Sequence, residues 1–194
     1  MKILAIALAL TLVFAAVATA GSNPNVKAVV HVQSYSAKNN CGNLQTFTTC
    51  EDFVTTNGEA QLHALPIFFD ATGITGVEYA LTWPGGSSAG WTGCGDFAIG
   101  GIQWSGDSIS QTWTLCQMGY AVVCGLAWIY PGAGFICMVP HGESGFIGVT
   151  DCDFQPDTPM CFFCAGVGGE IGDDPCEPTA TEASTWGGIK SMFK

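Results

Sequence analysis

The chain has 194 residues, and its 16 Asp and Glu residues outnumber its 5 Lys and Arg residues, so the formal net charge is −11 at pH 7. All of the basic residues are lysines, so the chain lacks the guanidinium fork that reads guanine edges, and an anionic surface repels a phosphate backbone. We therefore expect no nucleic-acid partner.

The first twenty residues have the three parts of a secretory signal peptide. Lys2 supplies a positive charge, residues 3–16 form an apolar run, and residues 18–20 (Ala-Thr-Ala) form a small-residue cleavage site. The run ends in small residues and not in a basic cluster, so a cleaved signal is favoured over a membrane anchor. We expect residues 1–20 to be removed, a secreted protein that is extracellular, cell-surface or periplasmic, and no transmembrane segment in the mature chain.

Residues 21–176 are predicted to form one domain with a sizeable core. The clearest strand is 74–83, where Val77 and Tyr79 alternate with polar or small residues, and Pro66 in the preceding strand indicates an edge or bulge position. No long helical pattern lies between the predicted strands, so the fold class is all-β, an antiparallel β-sandwich of about 8 to 9 strands. In chain order the strands are residues 26–35, 62–69, 74–83, 97–104, 108–116, 120–130, 133–139 and 146–150.

Trp91 lies in a Gly/Ser-rich loop, residues 85–95, between two predicted strands. Trp83, Trp113 and Trp128 fall inside strands whose same-face neighbours are apolar, so core packing is favoured for them over a sugar-binding platform. Trp91 is therefore the candidate ligand contact, and a carbohydrate is its candidate ligand.

Residues 86–90 (Gly-Ser-Ser-Ala-Gly) match the G-x-S-x-G motif of α/β-hydrolases, and His141 lies downstream as a notional base. That motif works only on a strand-to-helix turn in an α/β fold. A Gly/Ser loop in a β domain produces the match without the chemistry. We therefore expect no enzymatic activity, with a secreted hydrolase as the remaining alternative.

All ten cysteines follow the predicted signal, and an even number in an exported chain indicates disulfide bonds. Because the domain is long enough for a true core, we expect the bonds to fasten Gly-rich loops and not to replace the core. Cysteines that are close in sequence are expected to pair. The expected bonds are Cys41 with Cys50, Cys94 with Cys116, Cys124 with Cys137, and Cys152 with Cys176 beside Cys161 with Cys164, or a crossed arrangement of these last four.

The segment Cys161-Phe-Phe-Cys164 also has the spacing of a redox or zinc motif. A thioredoxin-like pair requires a helix N-terminus in a βαβ unit, and a structural zinc site normally takes two such pairs. The sequence offers neither a helix signal nor a second pair. Structural disulfides are therefore favoured over redox or zinc chemistry.

Asp151, Asp153 and Asp157 lie close together in the sequence. Carboxylate oxygens are the ligands that Ca²⁺ prefers, although the spacing is not that of an EF-hand. Calcium is therefore the candidate metal, with a solvated acidic loop as the alternative.

The C-terminal segment differs in composition from the domain. Residues 177–184 read as a flexible Pro/Thr/Ala/Glu linker, and residues 185–194 end the chain with two lysines. Trp186, Ile189 and Phe193 lie on one face of a short helical turn, but the segment is too short and too rich in Gly to be a stable helix alone. We expect a docking or sorting peptide that binds its own domain, a neighbouring copy, a sorting factor or a membrane surface, with a frayed end as the alternative.

The ending Thr-Trp-Gly-Gly-Ile-Lys-Ser-Met-Phe-Lys (residues 185–194) resembles the C-terminal signature of a group of uncharacterised secreted bacterial proteins. Members share a signal peptide, an Asn-Pro-Asn-Val start, matched by residues 23–26, several cysteines and a Thr-Trp-Gly-x-Ile-Lys-x-x-Phe/Tyr ending. Residues 73–81 (Gly-Ile-Thr-Gly-Val-Glu-Tyr-Ala-Leu) are similar to a strand of cohesin-like, Ig-like sandwiches. These resemblances imply a secreted β-sandwich that engages a partner through a sheet face, and they imply no activity.

The sequence thus predicts a secreted, non-enzymatic surface or assembly protein that engages a protein partner or another copy of itself. A carbohydrate- or calcium-binding extracellular module is the second hypothesis.

Overall fold

Fourteen strands make up almost all of the regular structure in the computed structural model, which describes residues 22–85 and 88–177. The helical structure in these two ranges is a single 3-10 turn, Cys50–Asp52. The all-β prediction is confirmed. The strands are β1 (Lys27–Ser34), β2 (Thr56–Asn57), β3 (Leu62–Phe69), β4 (Ile74–Thr82), β5 (Ser88–Gly93), β6 (Phe97–Gly100), β7 (Ser108–Gln117), β8 (Ala121–Val123), β9 (Gly125–Ile129), β10 (Gly134–Val139), β11 (Gly148–Thr150), β12 (Pro156–Asp157), β13 (Phe162–Phe163) and β14 (Ala165–Val167).

The strands form a six-stranded and an eight-stranded sheet. The six-stranded sheet runs β13-β1-β3-β9-β5, with β8 also paired to β3. The eight-stranded sheet runs β12-β11-β4-β10-β14-β2, with β7 on β4 and β6 on β7. Most neighbours are antiparallel, but β13 runs parallel to β1, and β2 runs parallel to β14. The sheets are therefore mixed. There are more strands than predicted because several strands of two or three residues are too short to show a hydrophobic alternation.

The main core lies between the two sheets. Val30 and Val32 enter it from β1, and Val77, Tyr79 and Leu81 enter it from β4, all of them buried. Successive side chains of a strand point to opposite faces, so the alternation in 74–83 identifies the inward face of β4, as predicted. The predicted burial of Trp83 and Trp113 is also confirmed.

A second core covers the outer face of the six-stranded sheet. Residues 35–55, which we call the covering loop, lie across this face and bring Phe47 and Phe53 onto it. The two rings stack with centroids 5.2 Å apart, and Phe53 contacts Phe69 of β3 at 4.9 Å. All eight residues of β3 are consequently buried, which explains why its sequence is apolar apart from His63.

Pro66 was predicted to occupy an edge or bulge position, and it lies in a central strand, so the edge alternative is wrong. β3 pairs with β1 along its whole length and with β8 and β9 on its other side. The chain breaks between β8 and β9 at Cys124, whose amide donates to the Pro66 carbonyl at 2.9 Å. In a strand, the nitrogen and the carbonyl of one residue point to the same side, so the nitrogen of Pro66 also faces Cys124. Proline has no N–H to donate, and at this point the neighbouring strand is interrupted.

The disulfide bonds join segments that are distant in sequence, so the predicted local pairing is wrong. The described residues contain four bonds, not five, and Cys124 is a buried thiol whose pKa is raised by burial. Cys41 and Cys50 sit on the covering loop and reach the segments beneath and beside it, and Cys164 bonds Cys137 where the chain passes from one sheet to the other. The bonds are Cys41–Cys94, Cys50–Cys176, Cys116–Cys152 and Cys137–Cys164.

Removing the bond that closes the longest loop is expected to cost the most stability. Cys50–Cys176 spans 126 residues and Cys116–Cys152 spans 36. Chain entropy predicts losses of about 5 and about 4 kcal/mol for the two double Cys→Ala variants. Urea unfolding of both variants, with circular dichroism to verify the fold, measures these losses. A larger loss for the shorter loop would contradict this prediction.

Candidate functional site

The outer face of the eight-stranded sheet is open to solvent, in contrast to that of the six-stranded sheet. Glu78 points away from the core that its neighbours Val77 and Tyr79 enter. On β6, at the edge of the sheet, Phe97 and Ile99 are 63% and 66% exposed. We call this side of the sheet the open face.

Strand register places two rows of side chains across the open face. The first row contains Phe97, Thr112, Gly76, Thr150 and Pro156, which are opposite one another on five successive strands. Directly opposite residues of paired strands share a face of the sheet. The row therefore has apolar ends and hydroxyl groups near its centre.

The second row contains Ile99, Ser110, Glu78 and Gly148. It runs beside the first row, so Glu78 lies among the hydroxyl-bearing residues of the open face. Among the described residues, the side-chain carboxylate of Glu78 forms no hydrogen bond or ion pair. A half-buried carboxylate without a partner favours a cationic ligand.

Two glycines make room for a groove of about 280 Å³ in this face. Gly76 and Gly148 line it together with Glu78 and the exposed ring of Phe146. A Cβ atom on Gly148 would lie 2.8 Å from Oε1 of Glu78 and 3.0 Å from the Phe146 ring. Glycine at 148 is therefore required for the carboxylate and the ring to approach each other.

Ser110, which lines the groove, contacts His141, but the geometry of the pair differs from that of a nucleophile and its base. The Nδ1 atom of His141 accepts the Glu143 amide hydrogen at 3.2 Å, so the ring hydrogen is on Nε2. Nε2 lies 3.3 Å from Oγ of Ser110 and donates to it. A general base has to accept the serine proton, and this tautomer does not.

The described part of the G-x-S-x-G match, residues 88–90, lies on a strand and not on a strand-to-helix turn. Ser88 begins the edge strand β5, and its Oγ lies 3.2 Å from the carbonyl oxygen of Ile102. His141 follows β10 in the other sheet and contacts Ser110 instead. Residues 86 and 87 lie outside the described residues.

Trp91 lies on β5, so its assignment to a loop is wrong. It packs half-buried against the main core, and a Cβ atom on Gly125 would collide with its ring. One edge of the ring lines a cleft of about 410 Å³ together with Trp104, which is 64% exposed, and Gln103. Two indoles beside a polar side chain are a suitable surface for a sugar ring.

Trp128 does not enter the main core, which corrects the prediction for this residue. It is half-buried on the outer face of the six-stranded sheet, where Tyr35 stacks on it at 4.4 Å. His63 contacts Tyr35 edge-on, and burial lowers its pKa. This cluster fastens the start of the covering loop.

His31 fastens the end of the covering loop. Its Nδ1 atom accepts the amide hydrogen of Val54 at 2.9 Å, and its ring meets Phe47 edge-on at 5.0 Å. Burial lowers the pKa of His31 to about 4, so the ring is neutral at pH 7.

Two of the three candidate calcium ligands, Asp151 and Asp157, bind backbone amides. Asp151 is buried and accepts amide hydrogens from Ser22, Asp153 and Gln155 at 2.8, 2.9 and 2.7 Å. Desolvation opposes the ionisation of Asp151, but these hydrogen bonds outweigh it and lower its pKa. Asp157 accepts the amide hydrogen of Asn23 at 2.9 Å. Among residues 22–85 and 88–177, no three His, Cys, Asp or Glu side chains are grouped to hold a metal ion.

The predicted docking peptide, with Trp186, Ile189 and Phe193, lies outside the described residues, as does the predicted signal. The described chain ends just after Cys176, whose bond to Cys50 holds this end against the covering loop. Within the part of the chain that the structure describes, no helix is long and apolar enough to cross a membrane.

Sequence reasoning missed the groove of the open face. Glycine inside a strand pattern, as at Gly76, is a signal of close approach that was available. Glu78, by contrast, has the sequence pattern of an ordinary solvent-facing residue. Its neighbours Ser110 and Gly148 are brought beside it only by strand register, which the sequence does not show. No protein family, curated protein or solved structure matches this chain.

Acid is expected to loosen the covering loop through His31. The unfolded chain gains a proton below pH 6.5 and the folded protein only near pH 4, so stability is lost as the pH falls between these values. The loss attributable to this ring is about 3 kcal/mol. His31→Asn retains an acceptor for the Val54 amide but does not titrate, so its unfolding free energy in urea should fall less than that of the wild type between about pH 7 and 4. Parallel pH profiles for the two proteins would refute the assignment.

Proposed function

We propose that this chain is a secreted, non-enzymatic assembly protein in which the C-terminal peptide of one copy docks on the open face of another. The observation that carries the proposal is the asymmetry of the sandwich. The covering loop buries the outer face of one sheet, while the other sheet presents a groove whose carboxylate, Glu78, has no partner among the described residues and lies beside exposed apolar side chains. The four disulfides support an oxidising, extracytoplasmic destination.

The chemistry of the C-terminal peptide complements the open face. The peptide offers the apolar side chains Trp186, Ile189 and Phe193 together with Lys190. Phe97, Ile99 and Phe146 supply apolar surface on the open face, and Glu78 supplies the negative charge. An extended or helical peptide with apolar anchors and one ion pair is a common form of peptide recognition.

The supply of lysines also favours this pairing. After removal of the predicted signal, four lysines remain, and two of them are Lys190 and Lys194. Lys27 already pairs with Asp70, with 3.3 Å between Nζ and Oδ2. The peptide is therefore the main source of cations in an otherwise acidic chain.

The end of the described chain favours a neighbouring copy as the acceptor. Cys176 is tied to the covering loop, which lies on the opposite side of the sandwich from the open face. The ten residues from Glu177 to Trp186 span at most about 35 Å when fully extended, and the path around two stacked sheets uses most of that reach. Docking on another copy needs no such path.

A charge exchange tests the proposed assembly. Deletion of residues 178–194 should abolish self-association, and Glu78→Lys or Lys190→Glu alone should weaken it about tenfold or more. The double variant restores the opposite charges and should recover part of the loss. Analytical ultracentrifugation measures each dissociation constant, and Glu51→Lys, an exposed site on the covering loop, is the control with the same charge change. Equal association of the full-length and truncated chains would overturn the proposal.

A carbohydrate-binding module is the second candidate, and the cleft beside Trp91 favours it. Trp104→Ala should abolish binding to a glycan array without loss of thermal stability, because Trp104 is largely exposed. Trp91→Ala should weaken both binding and stability, because Trp91 also packs on the main core. Phe146→Ala, on the open face, should leave glycan binding unchanged. Absence of glycan binding by the wild type would exclude this candidate.

A further inference from the structure

We infer that Asp151 and Asp157 form a receptor for the new N-terminus that signal-peptide removal creates, so that processing completes the folded structure. The inference rests on the predicted cleavage after Ala20 and is independent of the proposed assembly. It assigns a role to the acidic segment that sequence reasoning interpreted as a candidate calcium site.

The first described residues are held in place by specific hydrogen bonds. The Ser22 amide donates to Oδ2 of Asp151 at 2.8 Å, and the Asn23 amide donates to Oδ2 of Asp157 at 2.9 Å. The start of the mature chain is therefore seated on two carboxylates that lie 129 and 134 residues away in the sequence.

Asn23 completes the attachment with its side chain. It is 1% exposed, its Nδ2 atom donates to the Gly73 carbonyl at 2.8 Å, and its Oδ1 atom accepts the Thr72 amide hydrogen at 2.7 Å. The Thr72 hydroxyl also bonds the Ser22 carbonyl at 3.0 Å. Because every polar group of Asn23 is engaged, Ser22 and Asn23 have a defined position.

The receptor has negative charge that the described residues do not neutralise. The partners of Asp151 are neutral amides and a hydroxyl, and Asp157 is likewise not paired with a cation within the described residues. Asp153 adds a third carboxylate to the same segment. An ionised carboxylate in a buried position is stabilised further by a nearby cation.

Signal cleavage supplies such a cation. If Gly21 is the first residue, its ammonium group is one residue from the Ser22 amide that Asp151 binds, and adjacent Cα atoms are about 3.8 Å apart. An α-amino group has a pKa near 8 and is protonated at neutral pH. In the unprocessed precursor the same nitrogen is a neutral amide that continues into the apolar signal, so the ionic attraction is absent.

The test compares chains that differ only in the charge of this nitrogen. Mature protein beginning at Gly21 is compared with the same protein acetylated at its N-terminus, and both are unfolded in urea at pH 7. Acetylation is expected to raise the unfolding equilibrium constant about tenfold, which corresponds to about 1.4 kcal/mol. Because the ammonium gains a partner on folding, this difference should be present at pH 7 and disappear above about pH 9 as the amine deprotonates.

The Asp151→Asn/Asp157→Asn double variant is the control for the receptor. Acetylation of this variant should change its stability little, because the carboxylates that attract the ammonium are gone. If the double variant does not fold, the acetylated and free wild-type chains still decide the question. Equal stability of those two chains at pH 7 would overturn the inference, and so would N-terminal sequencing of exported protein that begins upstream of Gly21.

Discussion

Burial of both faces of the six-stranded sheet is the constraint on which the rest of the structure depends. A two-layer sandwich hides one face of each sheet, and the covering loop hides a further face with Phe47 and Phe53. A loop over an apolar surface must satisfy its own backbone, and the Val54 amide and carbonyl do so on His31 and Val32 of β1. Two disulfides then hold the loop in place. The sandwich becomes asymmetric, with one sheet closed and one available for contact.

The sequence predicts those parts of the fold in which burial is one-sided. β4 is found almost to the residue because Val77 and Tyr79 face the core while Glu78 faces solvent. β3 has the predicted bounds, but a strand buried on both faces has no alternation to show which neighbours it takes. Pro66, predicted to mark an edge or a bulge, lies in a central strand. The two- and three-residue strands after β11 are shorter than any readable period.

Neither the disulfide pairing nor the geometry of the site could be predicted from the sequence, because both depend on contacts between residues that are far apart in the chain. Proximity along the chain was a poor guide to Cys41 and Cys50, because a loop that lies across a sheet contacts the residues under it and not its own other end. The groove beside Glu78 exists because register aligns it with Gly148 and Ser110, residues far from it in sequence. The sequence could show which chemical groups are present but not where they lie in the fold. These groups are the many acids, the basic and apolar ending, and the even number of cysteines.

The Cys50–Cys176 bond has a mechanical consequence. A pull on the C-terminal peptide reaches Cys176 first and passes through a covalent bond into the covering loop, which is bonded in turn through Cys41 to Cys94. The load therefore bypasses the two-residue strand β13 and the three-residue strand β14, which few hydrogen bonds hold in place. A protein tethered by its end in flowing liquid would transmit tension along this covalent route before any strand had to unzip.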